Sequence, residues 1–202
     1  MVTHDFPTLA AEHVEGARLF ATREDLLLGL ELPPHPKIAE VGVALGTFSR
    51  FLIDRFAPSE FHAFDLFKLH EDAMLWGKPT AEVLDGKTHA NFYRDNMGDS
   101  VIIHEGPSAE TLKRLEDASL DLAYIDAEHT YNEVLRDAGQ CARAVKTEGI
   151  LVFNDYIMHD PFVRADYGIV PVVNEMVVNQ GWRVIGFALQ KHMFCDIAIT
   201  RR

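Results

Sequence analysis

Carboxylates and one carboxamide recur at a single kind of place in this chain, the end of a short apolar run. Glu40 stands near the end of "KIAEVG", Asp65 closes "EFHAFD", and "SVIIHEGPS" breaks off in an acid and a glycine. Asp126 closes "SLDLAYID" and is followed by "AEHTY", while "GILVFND" ends in Asn154 and Asp155. Each group by itself could open a loop or cap a helix. Gathered on one edge, they would accept hydrogen bonds from a hydroxyl-rich ligand and attract a cation. Gly42 and Gly46 lie just beyond Glu40 in "IAEVGVALGTFSR". They provide a turn at which backbone can approach a ligand, and a helix start whose free N–H groups favour an anion.

The elements that must position these groups alternate. "KIAEVG" is a first strand, and Phe48, Phe51, Leu52 and Phe56 follow at helical spacing until Pro58. "EFHAFD", "SVIIHEG" and "SLDLAYID" are further strands; Val134, Leu135, Ala138, Cys141, Ala142 and Val145 then mark one face of a helix. "GILVFND", "WRVIGFAL" and "FCDIAIT" complete seven. Strands separated by helices require crossovers, hence an α/β fold with a doubly wound, mostly parallel seven-stranded sheet covered on both faces. The last two runs are too close for a crossover and should form an antiparallel C-terminal hairpin. Residues 1–36 read as helices leaning on the sheet, so 1–202 is expected to be one domain. In such sheets ligands bind outside the carboxyl ends of the strands, which is where the acids collect.

Composition removes several classes of function. With 202 residues and a net charge of −12, and without any Lys/Arg-rich run, the chain lacks the basic footprint that nucleic-acid phosphates require. No apolar run approaches the roughly 18 residues of a membrane span, and the acidic, proline-broken N-terminus does not read as a secretory signal. Cys141 and Cys195 each sit in an apolar pattern; two buried thiols rather than a disulfide suit a reducing cytoplasm. The ten histidines show no zinc spacing. A small-molecule partner is expected, with no nucleic acid or membrane, and a homodimer is compatible with the chain.

Asp65, about twenty residues beyond the turn, is placed to hold a ribose diol, which would also fit NAD. The turn lacks the G-x-G-x-x-G pattern, however, and the rim is anionic where a pyrophosphate would lie. A cationic ligand with an amino acid at one end and a nucleoside at the other fits better, and S-adenosylmethionine is such a ligand. At this point "EVGVALGTFS" resembles motif I of the class I S-adenosylmethionine-dependent methyltransferases. "YIDAEHTY…GILVFNDY" resembles the fourth and fifth strand ends of their small-molecule O-methyltransferase branch, of the methyltransferase domain 24 kind. The order of motifs covers about residues 37–200.

The resemblance implies a Rossmann-like methyltransferase fold and a set of roles. Backbone around Gly42, at the Gly42–Gly46 turn, would meet the methionine amino group, Ser49 its carboxylate, and Glu40 would support that end. Asp65 would bind the ribose, Gly106 and Ser108 would lie against adenine, and Asp126 would flank both the methionine moiety and the reaction centre. Asp126, Asn154 and Asp155 match the family's metal ligands, and three oxygen donors suit Mg²⁺. The pair here reads Asn-Asp where the catechol enzymes have Asp-Asn. His129, three residues after the strand-four acid, matches the general base, with an ordinary pKa of about 6.5; its other readings are a metal neighbour or a hydrogen bond shaping the loop. The implied reaction is methyl transfer to a hydroxyl of a small molecule. An NAD-linked oxidoreductase and a non-catalytic S-adenosylmethionine-binding protein are the alternatives.

Four further groups are expected outside this set. Arg136 and Asp137 read as a solvated helix face, and His159 and Asp160 as a loop near the acceptor. The insert from Phe67 to Ser100, carrying Trp76, Phe92 and Tyr93, either caps the acceptor pocket or packs.

Overall fold

In the computed structural model, which describes residues 6–202, the elements in chain order are as follows. Strand β1 (Arg18–Phe20) and helix α1 (Arg23–Leu28) precede β2 (Lys37–Val41), α2 (Thr47–Phe56) and β3 (Glu60–Asp65). The insert holds a two-residue ribbon, β4 (Met74–Leu75) with β5 (Lys78–Pro79), and two helices, α3 (Thr80–Val83) and α4 (His89–Met97). Then come β6 (Val101–Glu105), α5 (Ser108–Thr111), β7 (Leu120–Ile125), α6 (Tyr131–Ala144) and β8 (Val145–Phe153). A second ribbon, β9 (His159–Asp160) with β10 (Ala165–Asp166), leads to α7 (Ile169–Asn179), β11 (Trp182–Ala188) and β12 (Asp196–Arg201).

The main sheet has the order β1-β11-β12-β8-β7-β2-β3-β6. It is parallel from β8 to β6, and β12 pairs antiparallel with both β8 and β11, as the hairpin expectation requires. The sheet has eight strands rather than seven. The added one, β1, pairs parallel with β11 in the segment expected to be helical, residues 1–36; residues 1–5 lie outside the described part. Three residues at an edge, two of them exposed, leave no alternation to read.

Alternate residues of each central strand feed two cores, as the two-residue period of a strand demands. Ile38, Leu122, Tyr124 and Val152 pack with Leu26, Leu27 and Leu52 of α1 and α2. Ala39, Ala123, Ile125 and Phe153 pack with Val134, Ala138 and Cys141 of α6 and with Val172 and Met176 of α7. Two positions of the α6 pattern fall differently: Leu135 is exposed, and Val145 already belongs to β8. Cys141 and Cys195 are both buried and unpaired. Among the described residues no helix is long and apolar enough to cross a membrane.

The parallel ladder continues past the strand ends. Gly42 N–H donates to Phe64 O (2.8 Å), Asp126 N–H to Val41 O (2.7 Å), Asn154 N–H to Ile125 O (3.0 Å) and Gly106 N–H to Asp65 O (3.0 Å). Every loop bearing an expected site residue therefore leaves the sheet at a fixed height. Gly42 sits at φ +87°, and a Cβ there would collide with the Asp126 carbonyl. Gly42→Ala therefore destabilises the protein by ~1–2 kcal/mol from its backbone conformation alone, with the collision added. Urea denaturation should show a lower midpoint; an unchanged midpoint would mean that the turn relaxes freely.

Candidate functional site

A cavity of about 770 Å³ opens at this rim, between the ends of β2, β3 and β7. That is ample for a nucleoside carrying an amino-acid arm. It is lined by the Gly42–Leu45 turn, by Thr47 and Phe48 of α2, and by Pro107 and Ser108. Gly46 supplies the N-cap of α2 at φ +81°, with no side chain capping the helix, so the first amides of α2 remain available.

Asp65 lies on the cavity wall and also shapes the turn. Its Oδ2 accepts from the amides of Val43 (3.1 Å) and Ala44 (3.2 Å), and its Oδ1 from Phe67 (2.8 Å). A carboxylate has about four acceptor positions, so capacity for a ligand hydroxyl remains. Glu40 also lines the cavity, yet it is only 2% exposed and its Oε2 has no hydrogen-bond partner. Burial pushes this carboxyl up to about 8; the nearby Ser49 hydroxyl and Arg23 pull the other way, and Asp126 and Asp65 add to the rise.

Three placements differ from the sequence expectations. Ser49 is fully buried, its hydroxyl unpartnered, and Thr47 rather than Ser49 faces the cavity. Ser108 lines the cavity but donates to both oxygens of Asp137 (2.7 and 2.9 Å). Asp137 is accordingly not on a solvated face: it is 1% exposed, on the inner stripe of α6 between Val134 and Cys141, and burial pushes it up to about 6. Arg136 is solvent-facing and paired with Glu133. Gly106 adopts φ +129° behind the loop that carries Ser108.

The expected metal set does not assemble. Asn154 is buried and turns its amide inward, Nδ2 donating to Asp196 Oδ1 (3.0 Å) with Tyr124 Oη at 3.4 Å. Between Asp126 and Asp155 stands His129, whose Nε2 lies 3.6 Å from Asp126 Oδ1 and 3.9 Å from Asp155 Oδ2. Among the described residues no group of three His, Cys, Asp or Glu side chains is arranged to hold an ion. Asn154, the member of the pair nearer the strand, is thus engaged with Asp196 of β12.

His129 stacks on Tyr167 (centroids 4.5 Å apart, planes at 20°), and its buried Nε2 makes no hydrogen bond. Burial opposes its protonation, but Asp126, Asp155 and Glu128 outweigh that and hold it above the ordinary histidine range. Asp155, at φ +53°, is itself pushed up to about 6 by burial and by Asp126. On the loop after β8, Asp160 is buried and accepts from Tyr167 Oη and the amides of Phe162 and Val163, whereas His159 is exposed and paired with Asp166. The insert divides: Tyr93 and Phe67 are core, while Trp76, 72% exposed at the ribbon tip, lines the cavity.

Sequence reasoning missed Arg23, which reaches the cavity wall from α1, and the buried Tyr124–Asp196 pair beneath it (Oη to Oδ2, 2.8 Å). Burial pushes Asp196 up to about 7. An acid inside the apolar run "FCDIAIT" was the available signal for Asp196; nothing local marked Arg23.

The family profile described as a methyltransferase domain matches residues 39–156. The chain belongs to that family. Its fold is that of a class I methyltransferase, and S-adenosylmethionine is the cofactor the family assignment supports. No curated protein matches its sequence. Among solved structures it is similar to a presumed O-methyltransferase from Klebsiella pneumoniae (16% identity, TM-score 0.62, 98% of this chain and 84% of that one). It is also similar to cofactor-bound Rv0187 from MTB (18% identity, TM-score 0.61, 98% and 84%). A third is an S-adenosylmethionine-dependent methyltransferase from Mesorhizobium loti (15% identity, TM-score 0.53, 88% and 96%). The oxidoreductase alternative falls with the family assignment.

Two measurements follow for this methyltransferase. A carboxyl held near 8 is mostly protonated at pH 7. An ammonium group arriving beside Glu40 would favour the carboxylate, so S-adenosylhomocysteine binding should release most of one proton at pH 7 and little above about pH 9. Calorimetry in buffers of different ionisation enthalpy measures this, and Glu40→Gln should abolish the release; buffer-independent heats in the wild type would place the ammonium elsewhere. Because the oxygen donors do not converge, excess magnesium should leave the melting temperature unchanged. A rise that Asp155→Asn removes would show that the loops reassemble around an ion.

Proposed function

We propose that the protein transfers a methyl group from S-adenosylmethionine to a hydroxyl of a small molecule, with His129 as general base. The observation that carries this reading is the sharing of Asp126: it lines the cavity and also stands 3.6 Å from the unpartnered Nε2 of His129. Cofactor site and proton acceptor thus meet at one residue. The Gly42–Gly46 turn, Glu40 and Asp65 would hold the cofactor, and Thr47 takes the place expected of Ser49. When bound there, the cofactor supplies an electrophilic methyl on a sulfonium.

The chain's own part is alignment and proton removal. Nε2 of His129 takes the hydroxyl proton as the oxygen attacks, and the carbon–sulfur bond electrons return to sulfur. Asp126 and Asp155 stabilise the imidazolium so formed, while Tyr167 fixes the ring plane. Trp76, from the insert, would form the outer wall of the acceptor space. The printed description of the Klebsiella pneumoniae protein supports oxygen as the acceptor atom; the anionic surroundings of His129 support a neutral or cationic acceptor over a phosphorylated one.

The test is turnover on a panel of sugar, catechol-like and polyketide hydroxyls, followed by release of S-adenosylhomocysteine. His129→Ala should leave S-adenosylhomocysteine affinity unchanged and lower kcat about 10²–10⁴-fold. The neutral imidazole is the active form, and its pKa is raised. The rate should therefore be lost as pH falls through a value above the ordinary 6.5 or so, a limb displaced toward alkaline pH. Unchanged kcat in the variant would remove His129 from the mechanism, and no turnover on any acceptor would favour a cofactor-binding protein without catalysis.

A further inference from the structure

Among the described residues lining the cavity, Arg23 is the only Lys or Arg, set against Glu40, Asp65, Asp126, Glu128 and Glu133. It lies outside the family match at 39–156 and is brought in by α1. Two features fix that helix. Thr22 caps it, accepting from Asp25 N–H at 3.1 Å. Leu26 and Leu27 are fully buried, and Leu26 sits where a Cβ on Gly186 of β11 would have to be.

The guanidinium is held with similar firmness. It lies 4.1 Å over the ring of Phe48, in the uncapped first turn of α2. Its Nη1 donates to Tyr124 Oη (3.2 Å) and stands 3.7 Å from Asp126 Oδ2. A guanidinium carries five donors in a planar fork; with Nη1 anchored and Nε 3.6 Å from Glu24 Oε1, Nη2 has no partner among the described residues and is left for a ligand. If Arg23 served only to neutralise Asp126 and Asp196, it would have no need to form part of the cavity wall. The carboxyl at the same end is also without a partner: Glu40 Oε2 is buried, unpaired and on the wall. An orphaned carboxyl that an arriving ammonium would ionise, and a guanidinium with donors to spare beside free helix amides, are complementary to a zwitterionic α-amino acid, with the carboxylate toward Arg23 and α2 and the ammonium toward Glu40.

We propose that Arg23 binds the α-carboxylate of the cofactor's methionine end, so that the segment preceding the family domain is a working part of the cofactor site. This rests on the S-adenosylmethionine reading above. It assigns to an N-terminal arginine a role that motif I alone would give to Ser49, which the fold has buried.

The experiment compares two ligands on the full chain: S-adenosylhomocysteine, and 5′-methylthioadenosine, which keeps the nucleoside and the thioether but lacks the amino acid. Calorimetry should show that Arg23→Gln weakens S-adenosylhomocysteine about 10- to 100-fold and changes 5′-methylthioadenosine affinity little, with Arg23→Lys recovering part of the loss. Hydrogen exchange on the unmodified protein gives a second readout: S-adenosylhomocysteine should protect the amides of α1, and 5′-methylthioadenosine should not. Equal weakening of both ligands in Arg23→Gln, unchanged S-adenosylhomocysteine affinity, or equal protection of α1 by both ligands would each overturn the assignment. A wild-type protein that binds neither ligand would overturn the cofactor reading itself, and this proposal with it.

Discussion

The site depends on backbone hydrogen bonds that overrun the parallel strands. Where β2, β6, β7 and β8 end, the ladder does not stop at the last strand residue: Gly42, Gly106, Asp126 and Asn154 each donate to a carbonyl of the neighbouring strand. Those bonds set the height at which four loops leave the sheet, and they leave Gly42 so close to the Asp126 carbonyl that no Cβ fits between them. Side chains placed by such a frame need little further support, because each loop's first residue is already in register. The cost falls on sequence freedom at one point, the glycine.

Charge is the second constraint, and it is arranged rather than balanced. The rim holds acids that burial drives toward protonation, with Glu40 near 8, Asp196 near 7 and Asp155 near 6. Each has a different means of coping. Asp196 accepts from Tyr124, Asn154 and Gln190. Asp155 faces His129. Glu40 has an unsatisfied oxygen, and a buried unpaired carboxylate costs several kcal/mol of solvation unless a proton or a cation arrives. That asymmetry makes Glu40 the part of the site whose state a ligand would change most.

How much of this was legible follows from the range of the interactions. Parallel strands covered on both faces are uninterrupted apolar runs, so β2, β3, β7 and β8 and the acids at their ends could be read directly, as could the β11–β12 hairpin. Strand β1 could not, since three edge residues carry no period. Thr47 and Ser49 both lie in the first turn of α2, and a helix turns about 100° per residue. Choosing the hydroxyl that faces the cavity therefore needs the helix's rotation about its axis, which only packing of Phe48 and Leu52 determines. Asp137 on an inner stripe is intelligible only with Ser108, 29 residues away, and Arg23 only with Tyr124, 101 residues away. The surroundings of Asn154 were hidden for a similar reason: the Asn-Asp pair was visible, but Asp196, which accepts from Asn154, belongs to the last strand.

Asp126 unites these constraints. Its amide is fixed to β2, one carboxylate oxygen faces Arg23 at 3.7 Å, and the other faces His129 at 3.6 Å. Neither distance is a hydrogen bond, so the carboxylate acts on both cations through its field and is free to shorten either contact when a ligand changes the local charge. A ligand carboxylate drawn to Arg23 would leave Asp126 less compensated on that side and strengthen its hold on a proton at His129. A cationic methyl donor nearby would act in the opposite sense and weaken that hold. The protonation of His129 is thus open to what occupies the neighbouring cavity, through a single side chain held by the sheet.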